Sequence, residues 1–299
     1  MLSIQENRHE LAIDLLIDWL RPRLTNEAFS WLLSKQKVVA DGAERTLFTA
    51  FSSVPRHLGK TDLALSSKEI GAAGDRLAGW QPGHWSIDQA GRTLLVLAVP
   101  SGDLQAYQQI LDMLFAAADL GEQVALYQAL PLLPHPELHR HQGTEGIRSS
   151  MTAVFEAIAL RNPYPASYFD ENAWNQLVLK SLFVGSPLHL IAGLDRRANA
   201  TLARMLSDYA HERWAAGRPV SPALWRCVGP FAVADLVGDL ARAIAEPDAL
   251  QRQAAALACA QSPDPRASAL LAQYPELQSQ IRSGQLTWRY LSSQLKPLS

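Results

Sequence analysis

The chain has 299 residues, of which 48% are hydrophobic and 19% are charged, and its formal net charge is -2. This composition allows a sizeable core and is unlike that of a disordered chain. The near-neutral charge argues against a nucleic-acid-binding protein, which needs a basic surface, so we expect no nucleic-acid partner.

The N-terminal residues form a helical pattern and not a targeting signal. Charged residues interrupt the apolar ones, which recur at helical spacing. The apolar run at residues 94–99 is far shorter than the roughly 20 residues that cross a bilayer. Cys227 and Cys259 lie in helical patterns without metal-ligand spacing, which is typical of buried free thiols in a reducing compartment. We therefore expect a cytoplasmic protein without membrane insertion.

Helical periodicity recurs along the chain, and no segment has a convincing strand pattern. The first helix has an apolar stripe formed by Leu11, Leu15, Leu16, Trp19 and Leu20. Capping boxes are predicted at Ser66 with Glu69 and at Ser86 with Gln89. We interpret residues 92–99 as a buried helix, although their pattern also fits a strand, and residues 53–91 as an inserted, partly exposed region. Further helices are predicted at 104–117, 122–130, 146–160, 171–184, 198–216, 222–228, 232–245, 248–261, 265–274 and 286–295.

These elements predict an all-α fold in a single domain over residues 1–299. Residues 232–299 contain a short alanine-rich helix, a Pro-Asp-Pro corner and another short helix, like a HEAT-type helix pair. No strict repeat period holds along the chain. The predicted architecture is therefore an irregular, HEAT-like array of antiparallel helix pairs, similar to an α-solenoid.

Residues 162–231 carry the polar side chains that point most clearly to a site. The predicted helix at 171–184 is apolar nearly all round, which indicates burial, yet it contains Glu171, Asn175 and Lys180. Buried polar groups cost free energy unless they are hydrogen-bonded or used. Glu171 and Asn175, one turn apart, either form a local contact at the helix start or line a cavity.

The predicted helix at 198–216 places Arg204, Asp208 and His211 on one polar arc, with Glu212 at its edge. Asp208 with His211 has the spacing of an acid–base pair or of two metal ligands. The alternative is a solvated face with salt bridges at helical spacing.

Arg196 and Arg197 come directly before that helix. They form either an anion-binding turn at a helix N-terminus or an ordinary surface turn capped by Asp195 or Asn199. Trp225 and Arg226 would add stacking to such a pocket.

A histidine-rich tract provides weak metal candidates at His135, His139 and His141. The flanking prolines disturb the helix that would align them, so we interpret the tract as an interhelical loop without metal. The Gly-Lys-Thr at residues 59–61 lacks the upstream glycine of a phosphate-binding loop. No nucleophile-elbow, zinc-protease or Cys-x-x-Cys motif occurs, and we expect no cofactor.

The run NPYPASYFDENAWNQLVLKSLFVGSPL, followed by GLDRRANATLARMLSDYAHERWAAGRPVSPALWR, resembles the EboA family. The resemblance is closest over residues 160–231 and looser over most of the rest. It implies a protein of a bacterial gene cluster, the ebo cluster, that serves secondary metabolism and, in cyanobacteria, the export of a scytonemin precursor. It assigns no reaction and no catalytic residue.

These features predict a cytoplasmic, non-catalytic accessory protein of an ebo-type pathway. Residues 162–231 would bind a small-molecule metabolite or another ebo-cluster protein. The alternative is an enzyme of the same pathway that uses Asp208, His211 or Glu171 as acid–base groups on an aromatic or prenylated intermediate. A third interpretation is a structural scaffold in which Trp174, Trp214 and Trp225 are packing anchors only.

Overall fold

The computed structural model describes the backbone of residues 2–295 and the side chains of residues 9–295. Within these residues the chain forms 19 α-helices and no strand, which confirms the all-α prediction. The described chain divides into two compact units, with the boundary after Asp170. The single domain and the HEAT-like arrangement stay predictions.

The first unit contains ten helices, with 3₁₀ turns at Arg21–Arg23, Leu130–Leu132 and Pro136–His139. The helices are α1 (Leu2–Leu20), α2 (Asn26–Ala40), α3 (Glu44–Leu58), α4 (Ser67–Arg76), α5 (Ile87–Leu97), α6 (Leu104–Ala117), α7 (Leu120–Ala129), α8 (Arg140–Arg148), α9 (Thr152–Ala159) and α10 (Tyr164–Tyr168).

Helix α5 lies at the centre of the first unit and packs against α1, α2, α3 and α7. The predicted buried helix is confirmed, because the side chains from Ile87 to Leu97 are buried except that of Gln89. The Ser86 backbone N–H donates to Gln89 Oε1 over 2.9 Å, as the predicted capping box requires. Arg92 is buried as well, and it donates to Asp88 Oδ2 over 2.8 Å and to the Phe51 carbonyl over 3.1 Å. These bonds compensate for the removal of its charge from water.

The 53–91 region is partly exposed, as predicted, but it also includes α4 and the buried Trp80 and Trp85, so part of it belongs to the core. Trp80 lies 5.5 Å from Trp19 and 5.9 Å from Trp85 between ring centroids, and this aromatic cluster has no helical period in the sequence. The helix predicted at 146–160 is two helices, α8 and α9, separated by an extended residue at Ser149.

The second unit contains nine helices, with 3₁₀ turns at Leu188–Leu190, Pro222–Leu224 and Gly229–Phe231. The helices are α11 (Glu171–Val184), α12 (Leu194–Arg197), α13 (Ala200–Ala215), α14 (Trp225–Val228), α15 (Asp235–Ala245), α16 (Ala249–Gln261), α17 (Pro265–Leu271), α18 (Pro275–Arg282) and α19 (Trp288–Gln294).

Helix α16 is the core of the second unit and packs against α14, α15, α17, α18 and α19. Its alanines allow close approach: a Cβ on Gly229 would lie only 2.7 Å from the Ala258 Cα. Cys227 and Cys259 are buried free cysteines, as predicted. Burial raises the pKa of each thiol to about 12.

Candidate functional site

The polar residues predicted on α11 lie in different environments. Glu171 is exposed in the first turn, whereas Asn175 is buried. Asn199 Nδ2 donates to Asn175 Oδ1 over 2.9 Å, and the Leu202 N–H donates to Asn199 Oδ1 over 2.8 Å. Asn175 therefore positions the N-cap of α13, as expected for a structural group.

The rest of α11 differs from a helix that is buried on all sides. Phe183 is 78% exposed, so the helix has one apolar side chain in solvent. Lys180 is half-buried, and this burial lowers its pKa from the ordinary value.

Arg196 and Arg197 lie in different environments. Both belong to α12, which has only four residues. Arg196 is exposed, while the Arg197 guanidinium lies 5.0 Å from the centre of the buried Trp174 ring. Trp174 is therefore a packing anchor with a cation on its face.

Four residues of α13 that were singled out from the sequence are exposed: Arg204, Asp208, His211 and Glu212. Within the described part of the chain, no ion pair joins Arg204 to Asp208, and Asp208 is not hydrogen-bonded to His211. The solvated-face interpretation therefore fits Arg204, Asp208 and Glu212.

His211 has a different carboxylate partner, Asp239 on α15. The distance from His211 Nε2 to Asp239 Oδ1 is 2.6 Å, and Ser207 Oγ donates to Asp239 Oδ2 over 2.5 Å. Because a carboxylate only accepts, Nε2 carries the proton and Nδ1 is the acceptor of the neutral ring. The His211 side chain is 57% exposed, whereas Asp239 is 11% exposed.

A cavity of the second unit lies next to this pair, and we call it the Trp214 pocket. Its volume is about 500 Å³, within the range of small-molecule sites. It is lined by Trp214, Gly217, Arg218, Pro219, Val220, Arg242, Glu246, Asp248 and Gln251.

The indole of Trp214 is held in place from several sides. Its ring stacks on Trp225 with centroids 5.9 Å apart, and the His211 ring lies 5.6 Å away. The Arg242 guanidinium lies 4.1 Å from the Trp214 ring centre, which is a cation–π contact. The pocket therefore has a rigid aromatic wall.

The loop after α13 forms the next wall of the pocket. Gly217 has a φ of 63°, in the left-handed region, which ends the helix and turns the chain. The Arg218 N–H bonds to the Arg213 carbonyl over 2.8 Å, and Arg213 Nε donates to the Pro219 carbonyl over 3.0 Å. Backbone geometry and one side chain thus fix the loop.

Gln251 joins this loop to the aromatic wall. Its Oε1 accepts from Trp225 Nε1 over 2.9 Å, and its Nε2 donates to the Val220 carbonyl. Asp248 accepts from the Gln251 N–H over 3.1 Å as the N-cap of α16. A single buried amide therefore connects three elements around the pocket.

Trp225 and Arg226 are neighbours in α14 but do not act together. Trp225 is fully buried behind Trp214. Arg226 forms a two-pronged ion pair with Asp195, with both nitrogen–oxygen distances at 2.6 Å. Neither residue lines the Trp214 pocket, but Trp225 supports its aromatic wall from behind.

Two histidines of the tract lie within hydrogen-bond distance of backbone carbonyls. His135 Nε2 lies 3.3 Å from the Ser101 carbonyl and His139 Nε2 lies 2.9 Å from the Pro134 carbonyl. Among residues 9–295 no three His, Cys, Asp or Glu side chains are placed to hold a metal ion.

Most of the pocket lining and Asp239, the partner of His211, were not among the predicted site residues. The sequence pattern could have indicated Asp239, because it lies among the buried Leu236, Val237 and Leu240 of a strongly amphipathic helix. No pattern in the sequence indicated Arg242 or Gln251, because their contacts are to residues of other elements.

A family model described as metabolite traffic protein EboA matches residues 12–229. The chain belongs to the EboA family. The matched range confirms the resemblance to this family. It includes Trp214 and Val220 of the pocket, whereas Asp239, Arg242 and Gln251 lie beyond residue 229. No curated protein and no solved structure matches this EboA-family chain. None of its described helices is long and apolar enough to cross a membrane.

Proposed function

We propose that this EboA-family chain is a non-catalytic, cytoplasmic carrier that holds a small metabolite in the Trp214 pocket. The observation that carries the proposal is a cavity of about 500 Å³ with a fixed indole on its wall. The family description, metabolite traffic, fits a protein that holds a compound without converting it.

The lining favours a planar metabolite with polar groups at its edge. Trp214 offers an aromatic surface for stacking. Arg218 and Arg242 are balanced by Glu246 and Asp248, so the charges of the described lining residues cancel. An aromatic compound with hydroxyl or carbonyl groups matches this combination better than a strongly charged one.

Binding is favoured over chemistry because few acid–base groups face the pocket. Asp248 is used as a helix cap, which leaves Glu246 as the other carboxylate of the lining. His211 packs against Trp214 but does not line the cavity.

The second candidate is an enzyme, and the contact between His211 and Asp239 favours it. A buried carboxylate that fixes the tautomer of an exposed imidazole is the arrangement of a general base. Asp208 has no part in that pair, so an enzyme would use Asp239 in its place.

The predicted HEAT-like pairing is part of the proposal. Helix α16 packs against α15 and α17, its neighbours in the chain, which supports successive helix pairs in the second unit.

Ligand-observed NMR with a panel of indoles, phenols and quinones tests the binding role. We expect saturation transfer to at least one aromatic compound with the unaltered protein and its loss in Trp214→Ala. Trp31→Ala is the matched control, because Trp31 is also half-buried and stacks on a histidine, His57, with centroids 3.9 Å apart. Equal signals from both variants would refute the proposed pocket.

His211→Ala separates the two candidates. A carrier keeps its aromatic ligand when the imidazole is removed, because His211 lies outside the lining. An enzyme would also keep the ligand but would lose turnover of it. Conversion of the bound compound by the unaltered protein, and not by His211→Ala, would establish the enzyme.

A further inference from the structure

A second cavity in the second unit has basic walls, and its described lining residues differ from those of the Trp214 pocket. Its volume is about 360 Å³, and it is lined by His189, Arg226, Arg289, Ser292 and Ser293. We propose that this cavity, the Arg289 pocket, binds an oxyanion group, either a phosphate or a carboxylate of a small molecule.

Arg226 is positioned before any ligand arrives. Asp195 accepts from its Nε and Nη2, both over 2.6 Å, which fixes the plane of the guanidinium. The third nitrogen, Nη1, makes no hydrogen bond to another residue of the described chain. A planar donor that is already held loses little conformational freedom on binding an anion.

Arg289 supplies the uncompensated charge. It is exposed on α19 and makes no ion pair within residues 9–295. Since Asp195 neutralises one of the two arginines, the arginines of the described lining leave a net charge of about +1. This charge distinguishes it from the Trp214 pocket, where cations and carboxylates balance.

The serines define the cavity edge and do not act as its main donors. Ser292 Oγ donates to the Trp288 carbonyl and Ser293 Oγ to the Tyr290 carbonyl, each over 2.7 Å. Their protons are therefore used within α19. The donors of the described lining that remain for an anion are those of the two arginines.

Titration calorimetry at low ionic strength tests the pocket, with inorganic phosphate, pyrophosphate and citrate as separate probes. We expect saturable binding of at least one probe, weakened at least about tenfold in Arg289→Gln, since a charge-assisted bond is lost. Arg282→Gln is the matched control, because Arg282 is an exposed arginine on the preceding helix and does not line the cavity.

The probes distinguish the source of the oxyanion. Binding of the phosphates alone identifies a phosphorylated ligand, and binding of citrate alone identifies a carboxylate. Lack of saturable binding of all three probes would overturn the proposal, and so would equal weakening in Arg289→Gln and Arg282→Gln. Aromatic binding in Arg289→Gln, measured by NMR, shows separately whether the Trp214 pocket is intact.

Discussion

Replacement of Gln251 by alanine tests the hydrogen-bonded frame of the Trp214 pocket. The variant leaves two buried groups without their partner, the Trp225 Nε1–H and the Val220 carbonyl. Each unsatisfied buried group costs about 1–3 kcal/mol, so the two together cost about 2–6 kcal/mol. Val220 borders the cavity, where water can reach its carbonyl, and we therefore expect the lower part, about 2–4 kcal/mol.

Urea unfolding followed by far-ultraviolet circular dichroism measures this loss. Gln253→Ala is the matched control, because Gln253 is on the same helix and its buried Oε1 has no partner among the described residues. In both variants the change from glutamine to alanine favours the helix by the same amount, a few tenths of a kcal/mol. We expect Gln253→Ala to stay within about 0.5 kcal/mol of the unaltered protein. Equal losses in the two variants would refute the role assigned to Gln251.

Three further predictions concern pH, thiols and capping. Burial lowers the pKa of His139 below its ordinary value, so the folded state binds fewer protons than the unfolded state and stability falls as pH drops below about 6.5. The slope of the unfolding free energy against pH should be smaller in His139→Gln than in the unaltered protein. It should be unchanged in the control His141→Gln, because His141 is exposed. Identical slopes in the two variants would contradict this prediction. Because burial raises the pKa of both thiols to about 12, a disulfide reagent at about pH 8 should label neither Cys227 nor Cys259 until guanidinium chloride unfolds the chain, and rapid labelling of the folded protein would be the contrary result. Ser66→Ala should cost about 1 kcal/mol, since it removes the cap on α4, whereas Ser67→Ala should be nearly neutral; the difference between their urea midpoints is the check.

Local signals in the sequence predicted most of the helices. Helix α6 spans residues 104–117 and α11 spans residues 171–184, as predicted, because amphipathic or apolar runs with clear boundaries define them. Helix α18 lies between the helices predicted at 265–274 and 286–295, and it begins at Pro275, because proline suits the first position of a helix. The break between α8 and α9 begins after Arg148, and in the last turn of α8 a Cβ on Gly146 would lie 2.5 Å from the Tyr127 ring. Such a contact depends on the tertiary fold, which helical spacing does not specify.

The candidate site shows the same division between local and tertiary information. Periodicity correctly placed Arg204, Asp208 and His211 on one exposed arc of α13. It did not identify Asp239 as the partner of His211, because that carboxylate lies 28 residues further along the chain. Trp214 was considered only as a packing anchor, and the cavity beside it depends on a loop and two later helices.

Native mass spectrometry of the protein purified from its own host tests the carrier role most directly. The unaltered chain should carry a non-covalent small molecule, Trp31→Ala should retain it, and Trp214→Ala should lose it while remaining folded. A bare protein mass for the unaltered chain, or an adduct that persists in Trp214→Ala, would contradict a metabolite carrier that uses the Trp214 pocket.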